Sequence, residues 1–331
     1  AGFALIEQSM SGLGNAYSGG AASSEDASTI FYNPAGMTLL NGQQLILGTH
    51  IIMPSVKFHN EGSTHVTGQA LSGGNGGEGG VTKPIPNLYY SRKVSDKFFV
   101  GMGINAPFGL ATDYNKNWVG RYHAVESDVM TVNINPSIAY KINDQISVGA
   151  GLSVQYLKAV LSNAVDFGTA GYSLGIPGLL PQSNDGFAKM EGDSWGIGYN
   201  FGLLYELNKN TRAGIAYRSR IKQNLEGDVD FSHVPAPFQS AFRDGGVEAE
   251  ITLPDNLSIS LYHRINPQWA VMADFTWTNW SLFKKLAVEF DNPGQADSVT
   301  TEKWQDNYRY SLGVTYTTCC NWILRAGTAY D

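Results

Sequence analysis

The sequence contains no uninterrupted apolar run of 18 or more residues, which excludes a membrane-spanning helix but leaves a strand-built span open. Its 2 cysteines, Cys319 and Cys320, are adjacent, so a bond between them could not tie distant segments together, and the fold does not rest on disulfides. The 6 histidines lie in separate segments without cysteine or carboxylate partners at ligand spacing, so neither a metal site nor a cofactor is expected. Charged residues make up only 15% of the chain and the net charge is −7, which argues against nucleic acid as a partner. What is abundant is glycine, 38 residues, together with 12% aromatics, the profile of a β-rich chain with many turns.

Strand character emerges when alternate positions are separated. In 146–156 the even positions are Ile146, Val148, Ala150, Leu152, Val154 and Tyr156, whereas the odd ones are Ser147, Gly149, Gly151, Ser153 and Gln155. In 195–207, Trp195, Ile197, Tyr199, Phe201, Leu203, Tyr205 and Leu207 oppose Gly196, Gly198, Asn200, Gly202 and Glu206. The split recurs at 98–104, 130–140, 269–277 and 308–316. A period of two over about ten residues marks strands with different surroundings on their two faces.

The less apolar face is mostly Gly, Ser, Asn and Thr, with scattered charges such as Arg218, Arg220, Lys222, Asp274 and Arg309, which suits a lumen better than a soluble exterior. The apolar face places Trp195, Tyr205, Trp269, Trp277, Tyr308 and Tyr316 near strand ends, as aromatic girdles at two bilayer interfaces would be. The short turns VSDK, INDQ, LNKN, INPQ and TTCCN alternate with long connections, the layout of an outer-membrane barrel. The fold class read from this is all-β, a transmembrane antiparallel β-barrel in the bacterial outer membrane. About eleven strands are expected, starting near residues 43, 84, 97, 128, 145, 193, 211, 247, 268, 303 and 320. Single-chain bacterial barrels have even strand numbers, so an odd number of further strands is expected beyond Asp331.

Loops 162–192 and 228–246 are richer in apolar residues than solvated loops need, which suggests contact with a greasy ligand or packing of the loops on each other. The segment GGNGGEGG at 73–80 is expected to be a flexible loop tip. In 105–112, Pro107 cannot donate a ladder hydrogen bond and Gly109 relaxes the backbone. The stretch should therefore bend or break its pairing; an ordinary bulge and a hole in the wall are both compatible with it. Residues 1–42 do not alternate and are small and polar, so a compact segment folded inside the barrel is expected there, with the barrel proper at 43–331. The opening AGFAL reads as a mature end left by cleavage after a small residue.

Specific residues carry a resemblance to a known family. GLGNAYSG at Gly12–Gly19, NPA at Asn33, Pro34 and Ala35, GLAT at 109–112 followed by Asp113, GIGYN at 196–200, YRS at 217–219, NPQWA at 266–270 and TNWSLF at 278–283 are similar to motifs of the FadL family of bacterial long-chain fatty acid outer-membrane transporters. The resemblance covers nearly the whole chain. It implies a barrel of roughly 14 strands with an N-terminal hatch inside the lumen, in which Gly12, Gly14, Asn33, Pro34 and Ala35 are hatch motif positions. It implies further that the third strand kinks inward and opens the wall at Asn105, Pro107, Phe108 and Gly109, and that Phe3 contacts the ligand pocket. For a ligand carboxylate, the resemblance points to Lys158 and Lys303; strict alternation from Ile146 would turn Lys158 outward. Arg218, Arg220 and Lys222 share the lumen parity and are rivals.

The function implied is passive uptake of long-chain fatty acids or similar hydrophobic molecules, with capture by loops, binding beside the hatch and sideways release. The expected partners are that ligand, outer-membrane lipid, lipopolysaccharide and, in vitro, detergent, and a monomer is expected. Uptake of aromatic hydrocarbons by the same fold is the alternative. A general porin for polar solutes is disfavoured by the plug and the oily loops. A lipid hydrolase is weighed because GYSLG satisfies the nucleophile-elbow pattern at Ser173, but Pro177 and Gly178 disfavour the helix an elbow needs, and no His/Asp pair can be assigned.

Overall fold

The computed structural model describes residues 2–331. Its strands, in chain order, are β1 (Gln43–Ile52), β2 (Lys83–Lys93), β3 (Phe98–Asn105), β4 (Gly109–Asp113), β5 (Glu126–Lys141), β6 (Ile146–Asp166), β7 (Asp185–Asn208) and β8 (Thr211–Arg218). They continue as β9 (Ile221–Ser232), β10 (Gly245–Leu253), β11 (Asn256–Arg264), β12 (Trp269–Thr278), β13 (Lys285–Phe290), β14 (Ser298–Thr301), β15 (Asn307–Thr317) and β16 (Ile323–Tyr330). All belong to one antiparallel 16-stranded sheet whose wall runs β1-β2-β3-β5-β6-β7-β8-β11-β12-β15-β16, while β4, β9, β10, β13 and β14 lie off this path.

The alternation read from sequence is the alternation of exposure. On β7, Trp195 is 60% exposed, Ile197 71% and Phe201 54%, whereas Asn200 and Leu204, of opposite parity, are buried. The greasy face meets no second protein layer among the described residues, which is what a bilayer-facing wall requires. The five short turns each join wall neighbours: β2–β3, β5–β6, β7–β8, β11–β12 and β15–β16.

Nine of the eleven expected strand starts fall within about four residues of the starts of wall strands, the one expected at 193 lies inside β7, which begins at Asp185, and the one at 247 misses the wall. The strand expected from 247 is β10, which leaves the wall and pairs β9 and β13 in a flap above it; the eighth wall strand is β11, from Asn256. Pro254, which has no N–H to donate, separates the two.

The long loops are also more ordered than expected. β6 and β7 run for 21 and 24 residues, so most of 162–192 is strand or the short helix Phe167–Ser173. Phe167 stacks on Phe238 at 5.2 Å and meets Phe242 edge-on at 4.9 Å, so the apolar residues of the two loops pack on each other. Gly76 and Gly79 of the 73–80 segment pass flush against the Tyr114 ring rather than forming a loose tip: a Cβ at Gly79 would lie 2.5 Å from that ring.

Residues 2–42 contain three one-turn helices, α1 (Met10–Leu13), α2 (Gly20–Ser23) and α3 (Thr29–Tyr32), and a 3-10 helix at Pro34–Leu39, packed on the inner face of the wall. The wall meets this segment with glycine. A Cβ at Gly214 would collide with the Ala21 carbonyl, and one at Gly202 with the Asn33 side chain.

Candidate functional site

The hatch is held by side chains that the wall sends inward. Asn33 Nδ2 donates to Ala21 O at 2.6 Å and to Leu203 O at 3.1 Å, and Asn33 Oδ1 accepts from Ala35 N at 3.0 Å, so one buried amide caps the 3-10 helix and ties it to β7. Pro34 opens that helix, where its missing N–H costs nothing, and Ala35 is fully buried. Gly12 lies against Tyr17 and Gly14 against Arg325, each too close for a Cβ. Arg212 donates to Ala22 O and Ser23 O, Arg218 to Phe31 O, Arg309 to Ala16 O, and Arg325 pairs with Glu25 at 2.7 Å. Arg218 and Arg309, legible in the sequence only as lumen charges, and Arg212 and Arg325, not singled out there, thus cap carbonyls and one carboxylate of the hatch.

The first residues of the hatch complete a second feature. The β2–β3 ladder ends at Leu88↔Ile104, and β4 pairs only with β5. On β5, Asn105 faces Asn133 and Gly109 faces Met130, so Ala106, Pro107 and Phe108 stand opposite only Thr131 and Val132. The wall closes again where Gly80 bridges Thr112 and Asp113 N donates to Gly79 O at 2.9 Å. Between these two closures the strand runs 105–111 without a rung to β2. Its backbone groups turn inward: Leu5 N donates to Pro107 O at 2.9 Å and Gly109 N to Phe3 O at 2.9 Å. Phe108 N donates to Thr131 Oγ1 at 3.0 Å, and that hydroxyl donates back to Phe108 O at 2.7 Å. The backbone at 107–109 is therefore not left as an orphan strand edge, since Phe3–Leu5 pairs with it.

Phe3 and Phe108 project from this join into a buried aromatic chamber. Phe3 meets Trp280 at 4.8 Å, Trp304 at 6.0 Å, Phe108 at 6.0 Å and Phe283 at 6.4 Å, and Leu157, Leu225, Ile251 and Leu253 complete the walls. Trp280, Phe283 and Trp304 are contributed by a connection after β12, where neither period-2 nor helical patterning marks a site. Only TNWSLF as a motif signalled part of it.

The two lysines separate. Lys158 lies on a bulge-free stretch of β6 whose neighbour Leu157 faces the chamber, so its own side chain points outward, where Nζ pairs with Glu191 Oε1 at 2.5 Å. It is not brought to the chamber. Lys303 adjoins Trp304, is exposed, and has no carboxylate within ion-pair distance among the described residues. Of the rivals, Arg218 is buried on the hatch, Arg220 lies 3.7 Å from Asp255 and Lys222 pairs with Glu250 at 2.6 Å. Ser173 Oγ donates to Thr169 O at 2.9 Å at the end of a short helix, with no elbow before it.

The whole chain, residues 1–331, matches the family model described as "Outer membrane protein transport protein (OMPP1/FadL/TodX)". It is 34% identical over 352 residues to the "Long-chain fatty acid transport protein" of Escherichia coli O6:H1, covering 100% of this chain and 77% of that one. It is 30% identical over 361 residues to "Outer membrane protein P1" of Haemophilus influenzae strain Rd, covering 100% and 77%. In three dimensions it is similar to a Pseudomonas aeruginosa FadL homologue, with TM-score 0.92, 23% identity and coverage of 100% and 81%. The Ralstonia pickettii toluene transporter TbuX gives TM-score 0.72, 22% identity and coverage of 99% and 86%.

Proposed function

The chain belongs to the OMPP1/FadL/TodX family of outer-membrane transport proteins, and from that premise we propose that it takes up long-chain fatty acids passively, holding the tail in the Phe3 chamber and releasing it sideways between β2 and the β3–β4 strand. The observation that carries this reading is the join itself. One short segment, Phe3–Leu5, both fills the chamber with its phenyl ring and supplies the backbone bonds that seal the interruption. A ligand that displaces Phe3 from the chamber pulls on the same residues that close the wall, so binding and opening are coupled mechanically.

The energetics suit an acyl chain. Each methylene buried releases roughly 0.8 kcal/mol, so a long tail can displace one phenyl ring by area alone. The lipopolysaccharide layer is the barrier for such a molecule and the hydrocarbon of the membrane its sink, so the gradient suffices as the driving force. Lys303, beside Trp304, is a cation open to the carboxylate at the chamber's rim; Lys158 is engaged by Glu191 on the other face. The Escherichia coli relative, a long-chain fatty acid transport protein, supports the fatty acid over an aromatic hydrocarbon.

The test is competition between oleate and toluene for the purified full chain in detergent, read through the fluorescence of Trp280 and Trp304. Oleate is expected to saturate the signal and toluene to displace it poorly. Equal competition by toluene would assign the chamber to small aromatics instead.

A further inference from the structure

One same-face step from the chamber wall, toward the short turns, the lumen carries a row of buried amides. Asn105 pairs across the strands with Asn133, and Asn133 with Gln155. Gln155 is followed on its face by Leu157 of the chamber, and Gln223 by Leu225. The Gln223 amide donates to Gln155 O at 3.3 Å, and Asn133 Nδ2 to Asn105 Oδ1 at 3.4 Å. These four side chains are at most 2% exposed, yet among the described residues Asn105 Nδ2, Asn133 Oδ1, Gln155 Nε2 and Gln223 Oε1 have no hydrogen-bond partner at normal length, and Asn87, at the edge of the interruption, has none for either amide atom.

Beside this row sits a buried cation. The Arg218 guanidinium donates to Ser153 Oγ at 3.2 Å and to Phe31 O at 2.8 Å and lies over the Phe31 ring at 4.4 Å, with no carboxylate in ion-pair range among the described residues. Ser153 precedes Gln155 on the same face of β6. Arg218 also lines a cavity of about 150 Å3 between hatch and wall, shared with Leu5, Pro107 and Phe108 at the back of the interruption. The carboxylates lining that cavity are Asp274, which Ser260 and Thr276 hydroxyls engage, and Asp331, which Asn307 engages.

Buried amide atoms without partners cost free energy, and a passage for hydrocarbon alone would be lined with apolar side chains. Two of these atoms are NH2 groups, Asn105 Nδ2 and Gln155 Nε2, and with the Arg218 guanidinium at the end of the row they form a set of donors that an anionic oxygen would satisfy; Asn133 and Gln223 present oxygens and join the set only by turning their amides. We propose that Arg218, Ser153, Gln155, Asn133 and Asn105 form a binding track for the carboxylate head of an amphiphile, leading from the chamber to the interruption beside Asn87. The track selects a tail with one anionic head over an uncharged hydrocarbon. It rests on the reading above, in that the ligand leaves through the interruption.

The experiment compares the transfer of labelled oleate and labelled methyl oleate into outer-membrane vesicles carrying the full chain, for wild type, Asn133→Leu/Gln155→Leu and Arg218→Met. Gln155→Leu removes no side-chain hydrogen bond and Asn133→Leu only the long one to Asn105 Oδ1, at about 1–3 kcal/mol, so the double variant should still assemble and carries the test even if Arg218→Met fails to fold. The double variant should lose about tenfold in oleate transfer and keep its methyl oleate transfer, since a hydrogen bond to a charged group is worth that much. Unchanged oleate transfer, or an equal loss for both lipids, overturns the track while leaving the proposed function standing. A wild type that moves neither lipid overturns the proposed function and the track with it.

Discussion

The Phe3 ring meets the Trp280 indole edge-on, with centroids 4.8 Å apart and planes at 62°. That places a residue near the start of the chain inside a pocket built by residues almost three hundred positions later. The ring is the chamber's occupant in this state. Phe3→Ala should leave a space of benzene size among Phe108, Trp280, Phe283 and Trp304. The variant is expected to bind a small apolar probe such as toluene about tenfold more tightly than wild type, as measured by calorimetry, because no side chain must be displaced first. A weaker or unchanged affinity would mean that a ligand does not take the place of the ring.

Thr131 joins the wall to the bulge with one hydroxyl, which accepts from Phe108 N and donates to Phe108 O. Thr131→Val keeps the shape and removes both bonds, leaving a buried N–H and C=O unpaired at about 1–3 kcal/mol each. Hydrogen exchange at Phe108 and Gly109 should accelerate in the variant while β6–β7 amides keep their protection. Equal acceleration in β6 and β7 would show a global loss rather than a local one.

How much of this was legible follows from which forces act locally. The wall strands and their turns were readable because the bilayer imposes one strict period, and Ile146–Tyr156 shows it without help from any distant residue. The pairing fault at 105–111 was readable as a fault, since Pro107 lacks a donor, but not as a join to Phe3–Leu5, because that partner lies about a hundred residues away in sequence. β10 was misplaced because a flap strand over the rim carries the same alternation as a wall strand, and only tertiary pairing separates them. The chamber residues Phe283 and Trp304 sit in irregular backbone, where no period exists to detect.

Lys158 illustrates parity prevailing over analogy. Its position on an unbulged strand turns it to the outer face, where Glu191 holds it at 2.5 Å. Lys158→Ala should therefore leave oleate affinity unchanged in a titration of the purified protein. A loss of about tenfold would require the ligand head to reach the outer face of β6.

The first loop has an acid-sensitive fastening. Glu78 accepts from Val56 N at 2.5 Å, Ser55 Oγ at 2.9 Å and Gly80 N at 3.2 Å, and these bonds, that from Val56 foremost, hold its carboxyl below the usual carboxylate range. Because the folded value is depressed, the fastening is fully present above the ordinary carboxylate value of roughly 4.3 and is lost as pH falls through the folded one. Val56 and Gly80 amides should exchange faster at pH 3 than the intrinsic pH dependence of exchange allows, and Glu78→Gln should remove that excess. The same excess in the variant would assign the pH dependence to another group.

Gly214 tests whether the hatch is sealed by contact with the wall. The Ala21 carbonyl above it cannot simply shift, because it accepts from Asn33 Nδ2 at 2.6 Å while Ala21 N donates to Ser260 Oγ at 3.0 Å. A methyl group at Gly214 collides with that carbonyl, so Gly214→Ala must break one of these bonds or lift α2 from the wall, at about 1–3 kcal/mol. The barrel strands bear no other part of the cost, so the variant should still assemble but leak. Planar bilayers carrying it should show ion conductance that the wild type lacks. Gly74→Ala, where a Cβ meets open space and the backbone is unstrained, should remain as tight as wild type. A tight Gly214→Ala barrel would mean that the hatch is held by the arginines and Asn33 alone, and that the close approach of its backbone to the wall is incidental.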